Sequence, residues 1–361
     1  MRRHTTVITL TAIFGLLAVG LLATTPTVSQ GETPEPTPTV EARWEFDVSS
    51  LNVRTEPSHS AAFSPDGRFI ALGSSGGFSV YAVEDGVELW TYITDLTIQS
   101  LAWSPDGQYI AAGTSDAQYF PDTNAISGGG GGGVVLLFDA ESGAEQWGFP
   151  IDPSQPAIYG LAFSPNSSRL AYAPFALLGP VILDVASGET ILSLIRSGLG
   201  DLLSTTWSPD GALVAGGYDP DRVDIWDAET GTLLHAAFSE WRGTAGGVTT
   251  LAFSPDSGLI VSGARADPLY VFDTGSGELL QALVDILEPR RGSTALAFSS
   301  DGGLLASANY GGIVLWDTQV WQQIAIIPAL GIRAVIFIPD TGILLAASQD
   351  GMLYRIRWFA R

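Results

Sequence analysis

Seven times this chain repeats one short phrase, an aromatic residue followed by Ser-Pro-Asp-Gly or a close relative. The copies are Phe63-Ser-Pro-Asp-Gly67, Trp103-Ser-Pro-Asp-Gly107, Phe163-Ser-Pro-Asn-Ser167, Trp207-Ser-Pro-Asp-Gly211, Phe253-Ser-Pro-Asp-Ser257, Phe298-Ser-Ser-Asp-Gly302 and Phe337-Ile-Pro-Asp-Thr341. Their intervals are 40, 60, 44, 46, 45 and 39 residues. A period near 40–45 means similar units that bury their apolar faces against one another, so few other folds need weighing.

Each unit reads alike. An apolar strand ends at the aromatic, as in Leu251-Ala-Phe253. In the phrase that follows, proline presets φ, Asp caps its own backbone and Gly tolerates the exit. Next come a strand of small apolar residues (Leu213-Val-Ala-Gly-Gly217), a third ending in aromatic-Asp (Val223-Asp-Ile-Trp-Asp227), a turn (Ala228-Glu-Thr-Gly231) and a more polar fourth strand (Glu88-Leu-Trp-Thr-Tyr-Ile93 in the first unit). Four short strands with tight turns make one antiparallel sheet. Polarity rises toward the fourth, as expected of sheets packed radially with that strand at the rim.

Composition removes whole classes of chemistry. There is no cysteine, which excludes disulfides, thiolate nucleophiles, zinc–thiolate sites, iron–sulfur clusters and lipidation at a lipobox. All 16 basic residues are arginine, so Schiff-base chemistry and a P-loop lysine are excluded too. The net charge of −22 repels nucleic acid. With 46% hydrophobic residues, the chain has ample material for a core.

The N-terminus reads as an address. Basic Met1-Arg-Arg-His4 precedes the apolar run Val7 to Ala23, and no acid occurs before Glu32. Residues 1–29 fit an export signal cleaved before Gln30 or an uncleaved membrane anchor. Either would put the main domain outside the cytoplasmic membrane, its only membrane contact through this segment. Residues 30–42 are Thr- and Pro-rich, a semi-extended linker. In Arg43–Val48, Trp44, Phe46 and Val48 alternate. This spare strand is expected to pair with the C-terminal strands and complete the last blade.

The units resemble WD40 repeats, best at Ile225-Trp-Asp-Ala-Glu-Thr-Gly231 and Leu315-Trp-Asp317. The resemblance implies an all-β, seven-bladed propeller of four-stranded antiparallel blades over residues 43–361, the last closed by the N-terminal strand. The chain departs from the family in having no Gly-His dipeptide and two intact Trp-Asp pairs. The Ser-Pro-Asp-Gly phrase also resembles TolB-type propellers. In WD40 proteins the upper face, around the channel, is the usual binding face, and its contact positions fall six and four residues before the aromatic. Carried onto this chain they include His59, Gln99, Tyr159, Asp201, Leu203 and Arg333, with Tyr218, Arg265 and Tyr310 on loops of the same face. Tyr and Arg are favoured interface anchors.

The longest insertion, Ser115 to Ser127 before six glycines, is a flexible spacer or a mobile flap presenting Tyr119 and Phe120. Catalysis has few candidates. His59 faces the channel and His235 falls in an outer strand. Asp219, Asp221 and Asp224 resemble half of a calcium site without the EF-hand's glycine and terminal glutamate. No metal or cofactor is expected. The expected function is a monomeric, non-catalytic platform for a protein or peptide, an envelope component among the candidates; a small-ligand sensor or a hydrolase or lyase at the channel mouth is the alternative.

Overall fold

The structure is a computed structural model that describes residues 4–8, 44–53, 58–115, 117–120, 125–128, 132–151, 157–175, 179–220, 222–238, 247–264, 268–284, 293–309 and 311–360. Its regular elements are all strands. Four sheets have four strands in sequence order, starting from the inner strands Ile158–Phe163, Asp201–Trp207, Val248–Phe253 and Ala295–Phe298. The chain is a β-propeller of such sheets around a central channel.

The expectation of seven separate four-stranded blades is corrected. The large sheets number six among the described residues, and the first two units share one sheet of six strands, from Ser60–Phe63 to Glu145–Pro150. The cause is the unbroken strand Glu88–Trp103. Its first half pairs with Phe69–Ala82 as the rim of the first unit, and its second half pairs with Tyr109–Ser115 as the inner strand of the second. The last sheet also departs from a four-stranded blade shut by the N-terminal strand. It has five strands: Trp44–Asn52 pairs with Met352–Ala360, and His4–Ile8 lies outside it as the edge.

Among the described residues no sheet closes on itself; the ring shuts by side-chain packing. Phe63, Ile70, Leu72 and Tyr81 of the first unit pack on Ile343, Leu345, Ala347 and Leu353 of the last. Neighbouring inner strands touch all the way round, from Ser60–Phe63 through to Ile332–Ile338 and back.

The N-terminal expectation is also corrected. No helix among the described residues is long and apolar enough to cross a membrane. The β-branched run Thr5-Thr-Val-Ile8 is in a strand paired with Phe46–Ser49, and five residues of strand are far too short to span. Membrane contact through the N-terminus, and the extracytoplasmic location drawn from it, lose their basis. Most of the proposed signal and all of the linker lie outside the described residues.

The repeated phrase is explained by its turn. Ser104 is fully buried, and its hydroxyl donates to Asp106 Oδ1 at 2.6 Å while accepting the Tyr109 N–H at 2.8 Å. Asp106 Oδ1 accepts the Gln108 N–H at 3.0 Å. The same geometry recurs at Ser208–Asp210, Ser254–Asp256 and Ser299–Asp301. Two units place serine at the fourth turn position despite left-handed φ values of 59° (Ser167) and 61° (Ser257). There the hydroxyl earns its strain: Ser167 and Ser257 accept the N–H of Asp106 and Asp210 from the preceding unit.

Candidate upper-channel site

The inner strands surround a cavity of about 740 Å³, to which every one of the seven units contributes. His59, Gln99, Tyr159, Leu203, Thr249, Thr294 and Arg333 all line it, and each stands four residues before its unit's aromatic. No carboxylate lies among the cavity's described lining residues.

A second layer braces this ring, and it comes sixteen residues later in each case. His59 Nε2 shares a hydrogen bond with Ser75 Oγ at 3.3 Å. Gln99 Nε2 donates to Ser115 Oγ at 3.1 Å. Arg333 donates to Gln349 Oε1 at 2.9 Å. Tyr159 packs edge-on against Phe175, ring centres 5.3 Å apart. The spacing follows from the hairpin. An inner strand descends, turns at the phrase and returns on the second strand, so the two residues end level at the upper end.

One residue below the lining position, a latch joins neighbouring units. Ser60, Ser100 and Ser204 donate to the carbonyls of Ile98, Ile158 and Val248 at 3.3, 2.8 and 2.9 Å. Each serine is cross-strand partner to a glycine, Gly73, Gly113 or Gly217, and a Cβ there would come within 2.4–2.5 Å of the hydroxyl. In the fifth and sixth units the lining residue itself is the latch: Thr249 donates to Ser293 O at 2.9 Å and Thr294 to Ile332 O at 2.7 Å. Sequence reading missed these latches. The signal for the serine latches was present as Ser three residues before the aromatic with Gly thirteen residues further on, in three units.

The remaining expected site residues lie elsewhere. Asp201 is half-buried at the start of its strand, with its Cα paired to that of Asp219, and is not among the cavity's lining residues. Tyr218 is fully buried rather than displayed on the face. The Arg222 guanidinium lies 4.0 Å from its ring centre, and burial holds the phenol well above its usual range. Arg222 in turn pairs with the fully buried Asp224 at 3.1 Å. Asp224 accepts the Ser197 N–H and hydroxyl at 2.9 and 2.7 Å, so it is committed to the fold, apart from the suggested calcium cluster. Among the described residues no group of His, Asp and Glu is placed to hold a metal. Arg265, Tyr310 and Asp221 lie outside the described residues. Tyr119 and Phe120 fall in the strand Ala117–Phe120, which pairs with Ala125–Gly128. The insertion therefore contains a hairpin, and these two side chains are not described.

Two stretches, residues 88–118 and 237–267, match the family model described as WD domain, G-beta repeat. Each runs through the connection into an inner strand, the repeated phrase and the second strand. Fold and matches together define a β-propeller in which these two stretches are similar to WD40 repeats. No curated protein matches the chain.

Proposed function

We infer that the whole chain is a WD40-type propeller that acts without catalysis, holding a protein or peptide at the upper mouth of its channel. One observation carries the reading. The units repeat wherever packing constrains them, yet the lining position holds His59, Gln99, Tyr159, Leu203, Thr249, Thr294 and Arg333 in turn. Position and environment repeat there while side-chain chemistry does not, so the fold alone does not dictate it. Exposed apolar residues support the same face: Ile195, Leu199 and Leu330 stand at connections that lead into inner strands, and Ile93 lies in the unbroken strand that carries the first unit into the second, each at least 66% exposed. The lining favours holding over transforming. His59 has Ser75 as its observed hydrogen-bond partner, and no carboxylate stands among the described lining residues to orient it as the acid of a catalytic triad would.

The test is site-directed photocrosslinking in native cell extract. A benzoylphenylalanine at Tyr159 is expected to give discrete adducts, and one at Gln108, in a turn at the opposite end, to give none. Equal labelling from both positions, or none from Tyr159, refutes the reading.

A further inference from the structure

We propose that the connection from Leu194 to Gly200 is a preformed docking loop, and that it takes a polypeptide segment carrying aliphatic side chains beside Lys or Arg. This rests on reading the upper face as the binding one and adds the chemistry of the partner.

The loop joins the fourth strand of the third unit to the inner strand of the fourth, so it lies on the upper face. Ile195 and Leu199 stand on it 80% and 85% exposed. The fourth unit fixes the backbone that carries them. Trp226 Nε1 donates to Ile195 O at 2.9 Å, Asp224 accepts the N–H and hydroxyl of Ser197 at 2.9 and 2.7 Å, and Arg222 donates to Leu199 O at 2.7 Å. Arg222, Asp224 and Trp226 alternate along one strand, so all three project from the same side of it, and all three are buried.

This brace is peculiar to its unit. In the second, third, fifth and sixth units the place of Asp224, three residues before the Asp that ends the strand, is held by Leu136, Val181, Tyr270 and Val314. A buried ion pair adds little stability over apolar side chains of similar volume. What the Arg222–Asp224 pair adds here is a fixed loop, because its polar groups end on the backbone between two aliphatic side chains. Ordering that backbone in advance lowers the entropy lost on association. Two large apolar groups held in water then gain by leaving it.

Charge sets the other half of the partner. Asp201 follows the loop directly, and its Cα is paired with that of the exposed Asp219. Neither carboxylate has an ion-pair partner among the described residues. The loop's one cation, Arg196, donates to the carbonyl of Gly200. The whole chain carries −22. A basic segment is therefore drawn to this face and an acidic one repelled, and the same field opposes an anionic lipid surface.

Surface plasmon resonance on the immobilised intact protein tests the loop with peptides of one length in three series: leucine with lysine, leucine with glutamate, and serine with lysine. The leucine–lysine series is expected to bind, more weakly as salt rises, and the other two to bind far less. Ile195→Ser/Leu199→Ser should weaken the first series by about tenfold or more, the loss of two apolar contacts. Val320→Ser, 60% exposed on a turn of the opposite face, should leave it unchanged. Asp201→Asn/Asp219→Asn should weaken it and flatten its salt dependence. Circular dichroism of each variant checks the fold. Glutamate or serine peptides that bind as well as leucine–lysine ones, binding that survives loss of both aliphatic side chains, or no binding in any series overturns the proposal. So does cosedimentation with phosphatidylcholine vesicles that is lost in Ile195→Ser/Leu199→Ser while no peptide binds, which marks a lipid surface instead. Adducts from position 159 alongside any of these results would leave the platform reading standing and remove only this partner chemistry.

Discussion

The latch between the second and third units can be probed by a double-mutant cycle. Ser100 is 7% exposed and donates to Ile158 O at 2.8 Å. Gly113 faces it, and a Cβ there would lie 2.4 Å from the serine oxygen and 2.7 Å from Ile158 Cγ2. Gly113→Ala therefore overpacks a closed seam, at about 1–3 kcal/mol. Ser100→Ala removes a buried donor from a carbonyl, at about 1–3 kcal/mol. The double variant removes the oxygen that the new methyl strikes. The chain already uses that solution: Ala295 and Ala308 are partners at the equivalent positions, next to Ile332, and so are Ala334 and Ala347. The double variant should then cost about 1–2 kcal/mol less than the sum of the single costs. Urea unfolding followed by circular dichroism measures this from midpoints at unchanged slope. Additive costs, or a silent Gly113→Ala, would refute the volume argument.

Three further outcomes follow from the same structure. The carboxyls of Asp139, Asp184, Asp210, Asp256, Asp273 and Asp301 are held below their usual range, chiefly by the serine hydroxyl in each turn. Their folded pKa values lie below the unfolded ones, so their contribution is complete above the unfolded value of about 3.9 and is lost as pH falls through the folded values. The thermal midpoint should fall between pH 5 and pH 3, although protonation also relieves negative self-repulsion; a rising midpoint contradicts this. Arg222→Met strands the fully buried Asp224 and should cost about 3–5 kcal/mol, most of it recovered in Arg222→Met/Asp224→Leu; equal urea midpoints for the two variants would be the wrong result. Ser257→Ala keeps the left-handed strain but loses the bond to Asp210, and should melt below Ser257→Gly, which loses the bond and the strain together; the reverse order would contradict the turn analysis.

Much of this architecture was legible because it rests on local chemistry. The turn at Ser104-Pro-Asp-Gly107 is written in contiguous residues, and the alternation of buried strands follows from their small apolar runs. Sheet number was not legible. The phrase counts units, but whether Thr94-Asp-Leu96 breaks a strand or carries it from one unit to the next depends on pairing with two different neighbours. Tyr218 shows a second limit. The sequence reading puts it on a loop of the upper face, yet it belongs to the second strand Leu213–Asp219, where the Arg222–Asp224 pair, tied to Ser197 from the preceding connection, covers it. The first residues read two ways. A basic start and an apolar run satisfy an export signal, and Thr5-Thr-Val-Ile8 equally satisfies a strand once an edge is offered to it.

The lining position also divides the mouth unequally. Where the residue below it is Ser60, Ser100 or Ser204, that serine joins the units and the lining residue has no part in the seam. In the third unit Gly160 sits so close to Ser204 and Thr205 that a Cβ would meet backbone at 2.8 Å, and contact replaces the hydroxyl. In the fifth and sixth units the position below is Thr250 or Ala295, and the lining threonines bond the next strand. Thr249 and Thr294 are thereby committed to the ring. His59, Gln99, Tyr159 and Leu203 follow Arg333 around the channel without that duty, and the side chains of His59, Gln99, Tyr159 and Arg333 are steadied by Ser75, Ser115, Phe175 and Gln349 on the second-strand side. On the proposed reading, recognition therefore falls to one continuous arc of lining side chains, from the last unit through the fourth, while the lining threonines of the fifth and sixth units are taken up in joining neighbouring strands.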